Sequence, residues 1–315
     1  MVQKVKIVVI GSLNMDLVVV APRVVLEGET IIGGKFTAMP GGKGANQAVA
    51  ASRLGAQVHM VGCIGDDGFG RELREHLRVG NINTDYVTTV PDASSGVAMI
   101  TVSERGENSI VVSPGANDTM TIAHIKQAEM IIREADLVLI QLEIPLEVVE
   151  EAVAMAKKHQ VTVILNPAPA RQLSETLLSQ IDILTPNETE GRIIVTGQAE
   201  GDIREEDIIS FLRNKGVQNV VMTLGGEGVA YSDGGSAGRL KAHTVKVVDT
   251  TGAGDSFNAG LGVYLAEGGS LEAAISFAQK VAALSVTKFG AQPSFPYRSQ
   301  VDRFQDHLLI GGEVN

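Results

Sequence analysis

Residues 249–260 read DTTGAGDSFNAG, and they lie between an apolar run at 243–248 (HTVKVV) and the stretch LGVYLAEGG at 261–269. Apolar side chains at Phe257, Leu261, Tyr264 and Leu265 follow the spacing of one helix face. Glycines at 252 and 254 directly precede that helix and follow the apolar run. The stretch therefore predicts a strand, a glycine turn and a helix, which is the repeating unit of an α/β fold.

The same alternation of short strands and helices runs along the rest of the chain. We predict strands in KIVVIGS (6–12), VHMVGCIG (58–65), ADLVLIQLE (135–143), VTVILNP (161–167), DILTPN (182–187), NVVMTLGG (219–226) and TVKVVDT (244–250). Helical spacing is clear at Phe69, Leu73 and Leu77, and glycines close several helices, at Gly55, Gly80 and Gly268. This order predicts a Rossmann-like α/β fold with a mostly parallel central sheet and helices on both faces.

Two segments interrupt the alternation, at about 15–40 and 95–113. Both are strand-rich and neither contains a helical pattern. We expect them to form one small β-sheet lid within a single domain that spans residues 1–315.

Composition excludes several classes of function. The chain has 315 residues, 44% of them hydrophobic, and no apolar run long enough to span a bilayer. A net charge of -11 disfavours nucleic acid as a partner, because most of the surface would repel a phosphate backbone. Cys63 is the single cysteine, which excludes an internal disulfide, and the N-terminus does not resemble a signal peptide. We therefore expect a cytoplasmic protein that binds neither membranes nor nucleic acid.

The turn at 252–255 combines an anion site with a carboxylate. Backbone N–H groups of Gly252, Ala253 and Gly254 at a helix start favour a bound anion such as a phosphoryl group. A carboxylate at residue 255 would repel that anion, so its presence there needs another explanation. Accepting a proton from an attacking hydroxyl provides one. The alternative is an ordinary turn with an acidic residue in the first helical turn.

Polar residues at other predicted strand exits match a polyol ligand. Asn14 and Asp16 follow the first strand, and Glu143 ends another, where open α/β sheets bind ligands. Gly42 and Lys43 open the helix of PGGKGANQAVAASRLG (40–55), and Asn46 lies in its first turn. Local turn and capping roles, or simple solvent exposure, remain open for each of these residues.

A nucleotide site is indicated less directly. The chain lacks both G-x-G-x-x-G after its first strand and the P-loop pattern. Asn187 and Glu190 lie on one helix face, where they could organise water around Mg²⁺ or simply cap the helix. TLGGEG (223–228) could lie along a nucleotide or form a tight turn.

Taken together, these motifs resemble the carbohydrate kinase family that includes ribokinase, fructokinase and adenosine kinase. The resemblance runs from GSLNMD (11–16) to GAQPSFP (290–296), and its most specific marks are GGKGAN (41–46) and DTTGAGD (249–255). Within the family, NPAPA (166–170) and PNETE (186–190) are most similar to ribokinases. The resemblance implies ATP-dependent phosphorylation of D-ribose to D-ribose 5-phosphate; the alternative is a related kinase for another sugar or nucleoside.

The resemblance also assigns roles by position. Asp255 matches the catalytic base, and Gly252, Ala253 and Gly254 match the anion hole. Sugar contacts are implied for Asn14, Asp16, Gly42, Lys43, Asn46, Glu143 and Asp255. Nucleotide contacts are implied for Asn187, Thr223, Gly225, Gly226, Gly228, Gly254 and Gln279.

Two cations and a dimer complete what the resemblance implies. Glu190 belongs to an element linked to Mg²⁺, through water. An activating monovalent cation, K⁺, is implied at Asp249, Thr251, Ser285, Lys288, Gly290 and Ser294, several through backbone carbonyls. The lid of this family commonly forms a dimer interface, so a homodimer is expected.

Overall fold

A computed structural model of the protein describes residues 4–103 and 108–304. Within these residues one large sheet contains nine strands. They are β1 (Lys6–Ile10), β4 (Gln57–Gly65), β5 (Ile82–Val90), β8 (Leu137–Ile140), β9 (Thr162–Leu165), β10 (Ile183–Leu184), β11 (Asn219–Thr223), β12 (Val229–Ser232) and β13 (Ala237–Leu240).

The large sheet is mostly parallel, as predicted. Its strand order is β13-β12-β11-β10-β9-β8-β1-β4-β5, and all neighbours from β11 to β5 are parallel. Only β12 and β13 pair antiparallel, at one edge. The strands β5, β12 and β13 were not predicted. The edge strand β5 mixes buried with partly or fully exposed positions, and the edge strand β13 has no buried position, so both lack the continuous apolar run of the central strands.

Helices cover both faces of this sheet. Ile7 and Val9 of β1 pack into one hydrophobic cluster, whereas Val8 and Ile10 pack into another on the opposite face. The first cluster receives α1 (Lys43–Arg53), α2 (Gly68–Val79), α9 (Ala253–Ala266), α10 (Leu271–Ser285) and α11 (Arg298–Asp302). The second receives α3 (Ile122–Gln127), α4 (Glu129–Arg133), α5 (Leu146–Lys158), α6 (Glu175–Leu178), α7 (Glu188–Thr196) and α8 (Glu205–Asn214).

The two segments expected to form a lid do pair in one small sheet. Its strands are β2 (Asn14–Ala21), β3 (Phe36–Gly41), β6 (Gly96–Ser103) and β7 (Asn108–Ser113), in the order β3-β2-β6-β7. The β2–β6 pair is parallel and the other two pairs are antiparallel. Residues 104–107 of the second segment, like 1–3 and 305–315 of the predicted single domain, lie outside the described residues. The extent of the domain stays a prediction.

One predicted strand is wrong. Residues 244–250 form no strand, although their sequence alternates in a strand-like way. The side chains of Val247 and Val248 are 58% and 55% exposed, and the backbone N–H of Val248 donates to the carbonyl of Val286 instead of to a sheet neighbour. The backbone N–H of Asp249 donates to the same carbonyl, so this segment pairs with the end of α10 and not with a strand.

The centre of the large sheet contains a topological switch point. The chain leaves β1 towards β4 on one side and later returns to β8 on the other. The carboxyl ends of β1 and β8 therefore diverge into separate loops, which leaves a crevice where ligands bind in open α/β sheets. The small sheet begins directly beyond this crevice, since β2 follows β1 after a short turn.

Candidate active site

The glycine turn before α9 has the conformation that its sequence requires. Gly252 is the N-cap residue, with φ of 74°, and no side chain caps the helix. A Cβ at this position would lie 2.9 Å from Ala291 Cβ and from ring carbons of Phe295. Both the left-handed backbone and the close packing therefore favour glycine at residue 252.

The predicted trio of free amides is wrong for Ala253. Its N–H donates to the carbonyl of Thr250 at 3.1 Å, because the turn into the helix closes on itself there. In the described part of the chain, the N–H groups of Gly252 and Gly254 donate to no backbone carbonyl. Any anion bound at this helix start would be held by these two amides rather than by three.

Asp255 lies in the first turn of α9 and is buried, with 7% of its surface exposed. Its Oδ2 accepts from Asn46 Nδ2 at 2.9 Å, and its Oδ1 accepts from Gln47 Nε2 at 3.2 Å. Burial raises the pKa of this carboxyl, with a further contribution from Glu143, while Lys43 and the two amide donors oppose the rise. Asp255 is therefore a desolvated carboxyl held in one orientation, as a base toward an alcohol requires.

Glu143 accepts hydrogen bonds from residues on both sides of the crevice. It follows β8 by three residues, since that strand ends earlier than predicted, at Ile140. Its Oε2 accepts from Ser12 Oγ at 2.5 Å, from the backbone N–H of Lys43 at 3.2 Å and from Asn14 Nδ2 at 3.5 Å. Asn14 and Glu143 thus meet at the switch point, although 129 positions separate them in sequence.

Asp16 and Lys43 face the same cleft, and the charge of each shifts the pKa of the other. Burial, followed by the charges of Glu143 and Asp255, raises the pKa of Asp16 to about 7. Burial alone would lower the pKa of Lys43, but four surrounding carboxylates outweigh it and raise that pKa. They belong to Asp255, Glu143, Glu190 and Asp16. The cleft is lined by carboxylates, one ammonium group and side-chain amides. These donors and acceptors suit a ligand with several hydroxyl groups.

A cavity of about 450 Å³ lies on the other side of the α9 start. It is lined in part by residues predicted to contact a nucleotide, namely Thr223, Gly225, Gly226, Gly228, Gly254 and Gln279. A Cβ at Gly225, Gly226 or Gly254 would meet no atom within 4 Å, so these backbones border open space. Gln279 is less free than predicted, because its Nε2 donates to the carbonyls of Leu240 and Lys241 at 3.2 Å each.

Asn187 and Glu190 form a capping box at the start of α7. Glu190 N–H donates to Asn187 Oδ1, and Asn187 N–H donates to Glu190 Oε2, both at 2.8 Å. Asn187 does not line the cavity, so the structure supports the capping interpretation for its side-chain oxygen. Burial raises the pKa of Glu190, and the charge of Asp255 adds to this rise. Glu190 therefore belongs electrostatically to the same site.

Three of the residues expected around a monovalent cation, Asp249, Thr251 and Gly290, are joined by hydrogen bonds beside the glycine turn. Asp249 accepts from the N–H and hydroxyl of Thr251 at 2.9 and 2.7 Å and from the N–H of Gly290 at 2.8 Å. Ser285 and Ser294 donate their hydroxyls to the carbonyls of Ala282 and Ala291, and the N–H of Lys288 donates to the carbonyl of Ser285. Burial would raise the pKa of Asp249, but these donors lower it, so the carboxylate is ionised.

The pattern of the pfkB family of carbohydrate kinases matches residues 4–298. The chain is a pfkB family carbohydrate kinase. The ribokinases of Haemophilus influenzae and Bacillus subtilis are 44% and 45% identical to it, over 95% and 94% of this chain and 98% of each relative. An Arabidopsis thaliana ribokinase solved with ribose and ATP superposes with a TM-score of 0.87 and 35% identity, covering 96% of this chain and 100% of that one. The family resemblance and the fold predicted from the motifs are thereby confirmed.

Several polar residues of this carbohydrate kinase were not found from its sequence. They are Ser12, Gln47, Asn117, Gln141, Asn166, Thr185, Asn258 and Gln292, all buried at or beside the site. Gln141 offered a signal, since it is a polar residue inside the apolar run LVLIQLE. Asn117 offered none: it lies in a short 3-10 helix (Gly115–Thr119) about a hundred positions away and binds the backbone of Leu13 and the side chain of Asn14.

Two further findings concern metals and membranes. Across residues 4–103 and 108–304, this kinase has no group of three His, Cys, Asp or Glu side chains placed to hold a metal ion. In the same residues, every helix is too short or too polar to cross a membrane.

Proposed function

We propose that the protein transfers the γ-phosphoryl group of ATP to the 5-hydroxyl of D-ribose, giving D-ribose 5-phosphate and ADP. The observation that carries this proposal is the position of Asp255. The residue directly follows Gly254, whose backbone lines the cavity, and its carboxylate accepts from Asn46, which opens onto the polar cleft. The ribose-and-ATP complex of the Arabidopsis relative supports the same pair of substrates.

Ribose would bind in the polar cleft. Carboxylates of Asp16 and Glu143 accept hydrogen bonds from hydroxyl groups, whereas the amide of Asn14 and the ammonium of Lys43 can donate to hydroxyl oxygens. Gly42 has φ of 88°, and a Cβ there would lie 2.7 Å from the backbone nitrogen of Asn14. Glycine at residue 42 thus brings α1 close enough for Lys43 and Asn46 to reach the cleft.

ATP would bind in the cavity beside α9, with its phosphates towards Gly252 and Gly254. Thr223, Gly225, Gly226 and Gly228 form one wall, and the open space over the first two glycines leaves room for the nucleotide. Gln279 also lines this cavity, and among the described residues no donor reaches its carbonyl oxygen, which could accept from the base. Asn187 lies outside the cavity lining and its oxygen caps α7, so any contact it makes with the nucleotide would come from its amide nitrogen.

In the transfer step, Asp255 accepts the proton of the 5-hydroxyl as that oxygen attacks the γ-phosphorus. A bond forms between the sugar oxygen and phosphorus, the bond from phosphorus to the bridging oxygen breaks, and ADP leaves with that electron pair. The amides of Gly252 and Gly254 stabilise the charge on the transferring group. Ala253 supports the turn rather than the anion.

Two cations fit the donor sets around this step. Glu190 keeps one carboxylate oxygen outside its capping box, which suits a hydrated Mg²⁺ that accompanies ATP. The residues expected around a monovalent cation offer only oxygen donors to an ion such as K⁺. They are the Asp249 carboxylate, the hydroxyls of Thr251, Ser285 and Ser294, and the carbonyls of Lys288 and Gly290. A bound K⁺ there would keep the turn and its amides in place.

The small sheet would serve as a lid and as the interface of a homodimer in the cytoplasm. Leu17, Met99 and Val111 are cross-strand partners on the same face of that sheet. Met99 and Val111 are 52% and 59% exposed, which is unusual for large apolar side chains in a monomer. A second copy of the chain would cover them.

The decisive experiment compares wild type with Asp255→Asn across ribose, deoxyribose, fructose and adenosine, with and without K⁺. We expect ribose to be preferred, and we expect Asp255→Asn to bind ribose while turnover falls by about a thousandfold or more. A preference for another sugar would reassign the substrate, and absence of ADP formation with every sugar would indicate a non-catalytic sensor. Near-normal turnover in Asp255→Asn would remove the base from its role.

A further inference from the structure

Two amide side chains hold the Asp255 carboxylate, and a buried glutamine lies behind each of them. Asn46 and Gln47 are neighbours on α1 and donate to different oxygens of Asp255. Gln141 lies behind Gln47, and Gln292 lies behind Asn46. Gln141 directly follows β8, whereas Gln292 lies after α10, so their common arrangement is not a consequence of local sequence.

The first branch fixes the Gln47 amide. Gln141 has no exposed surface, and its Nε2 donates to Gln47 Oε1 at 2.6 Å. Because the oxygen of Gln47 is engaged there, its nitrogen faces Asp255 Oδ1 at 3.2 Å and Asn166 Oδ1 at 3.3 Å. A side chain at Gly11 would collide with Gln141 Oε1, so the first strand exit leaves room for this glutamine.

The second branch fixes the Asn46 amide in the same way. Gln292 is 2% exposed, and its Nε2 donates to Asn46 Oδ1 at 3.0 Å. Arg53, at the far end of α1, donates to the backbone carbonyls of Gln292 and Phe295 at 2.5 and 2.8 Å. The helix that carries Asn46 therefore also anchors the segment that carries Gln292.

Each glutamine leaves its own oxygen unsatisfied. Gln141 Oε1 and Gln292 Oε1 are both buried and have no hydrogen-bond partner among the described residues. An unpartnered buried carbonyl is unfavourable, and an apolar side chain of equal length would avoid it. Packing therefore does not explain glutamine at either position, whereas the need for an N–H donor does.

We propose that Gln141 and Gln292 are positioning residues that keep the amide nitrogens of Gln47 and Asn46 on the Asp255 carboxylate. Without the second donor, either amide can rotate and present its oxygen to the carboxylate, which repels it. Asp255 then loses a donor and its fixed direction towards the sugar hydroxyl. This inference rests on the proposed function, in which Asp255 is the base.

The two branches differ in what they touch, and this gives distinct kinetic signatures. Within the described residues, the side-chain hydrogen bonds of Gln141 and Gln47 reach no residue assigned to the sugar or the nucleotide other than Asp255. Their branch should therefore affect kcat and leave the sugar KM unchanged. Asn46 is itself assigned to the sugar. The Gln292 branch should therefore affect both kcat and the sugar KM.

The hydrogen bonds from the Asn46 and Gln47 amides favour the ionised form of Asp255. Loss of one of these donors should therefore move the acidic limb of the plot of kcat against pH to higher pH. The charged groups facing Asp255 are Lys43 from α1, Glu143 beyond β8, Asp16 from β2 and Glu190 from α7. All four are retained in the variants described next, so a shift relative to wild type reports the lost donor.

The test measures kcat, sugar KM, kcat against pH, and Tm for Gln141→Met, Gln292→Met and a control, Ser52→Ala. Methionine matches the length of glutamine without its donor. Ser52 also lies on α1 and gives one hydrogen bond to the carbonyl of Gly80 at 2.7 Å, away from Asp255. We expect kcat to fall about tenfold in each methionine variant, with a raised acid limb, while the control keeps wild-type kcat. Equal kcat and an unmoved limb in both methionine variants would overturn the proposal.

A substrate-independent measurement separates this inference from the proposed function. The ¹³C resonance of the Asp255 carboxyl, assigned by its loss in Asp255→Asn, can be titrated in wild type and in both methionine variants. An upward shift of the Asp255 pKa in the variants supports the positioning role of Gln141 and Gln292, whichever sugar is phosphorylated. An unchanged pKa contradicts it. Failure of the proposed function would instead appear as wild-type protein that does not phosphorylate ribose.

Discussion

Ser12 Oγ donates to Glu143 Oε2 at 2.5 Å, which joins the loop after β1 to the loop after β8 across the switch point. Glu143 also accepts the backbone N–H of Lys43 at the start of α1. Two other segments of the chain thus hold Oε2 of Glu143, and no described residue donates to its Oε1, which leaves that oxygen for a ligand. The sugar cleft depends on this cross-link between loops.

Glu143→Gln should weaken sugar binding without affecting the nucleotide. An amide in place of the carboxylate would lose the charge-assisted bonds from Ser12 and Lys43 and accept sugar hydroxyls less well. We expect the sugar KM to rise about tenfold or more, with the ATP KM unchanged. Ser12→Ala should produce a smaller rise in the same direction. Steady-state kinetics with each substrate varied in turn would check this, and an equal rise in both KM values would contradict it.

Asp16 should make sugar capture pH-dependent near neutrality. Its pKa is raised to about 7, so the carboxylate that accepts sugar hydroxyls forms only as the pH rises through that value. We expect kcat/KM for the sugar to increase between pH 6 and 8 by up to about tenfold. In Asp16→Asn this limb should disappear, together with much of the affinity. A limb that persists in the variant would assign it to another group.

The same raised pKa affects stability. Below its unfolded-state value of about 3.8 Asp16 is protonated in both states, but between there and about 7 the folded protein binds the extra proton. Stability therefore falls as the pH rises through this window. We expect Tm of Asp16→Asn, relative to wild type, to be higher at pH 8 than at pH 5. The pair of melting curves at each pH checks this, and a constant difference would argue against a desolvated Asp16.

Alanine at Gly252 and at Gly254 should have opposite consequences. Gly252→Ala forces a left-handed backbone and a clash with Ala291 and Phe295, so we expect a loss of about 1–2 kcal/mol or more in unfolding free energy. Gly254→Ala meets open space and should leave Tm equal or slightly higher. Its methyl group would project toward the nucleotide cavity, so the ATP KM should rise. Thermal melts and kinetics on both variants separate the two effects; equal Tm values would contradict the first.

Charge on the small sheet should break the proposed dimer. Met99→Lys and Val111→Lys place ammonium groups on the exposed apolar face that Leu17 shares. We expect sedimentation velocity to show a monomer for the double variant and a dimer for wild type. Ile32→Lys is the matched control, since Ile32 is also exposed but lies outside the strands of the small sheet. A wild-type monomer at micromolar concentration would contradict the interface.

The sequence by itself determined the α/β class, most central strands and the location of the glycine turn. Buried parallel strands require continuous apolar runs, and helix starts require residues with special backbone freedom, so both leave local signals such as VTVIL and Gly252. It also determined that Asp255, Asn14 and Glu143 lie at strand or helix ends. Local pattern misjudged residues 244–250, because a strand exists only where a neighbouring edge accepts its hydrogen bonds.

Only the tertiary structure decided which of these ends meet and what surrounds them. The side chain of Asn117 donates to Asn14, that of Gln292 donates to Asn46, and the carbonyl of Thr250 accepts from the N–H of Ala253. No local sequence pattern at either residue predicts any of these three hydrogen bonds. The reason is physical: hydrogen-bond geometry and desolvation depend on distances set by the packing of whole helices against the sheet. The raised pKa of Asp16 follows from the same packing, which buries its carboxyl and brings the charges of Glu143 and Asp255 to its side.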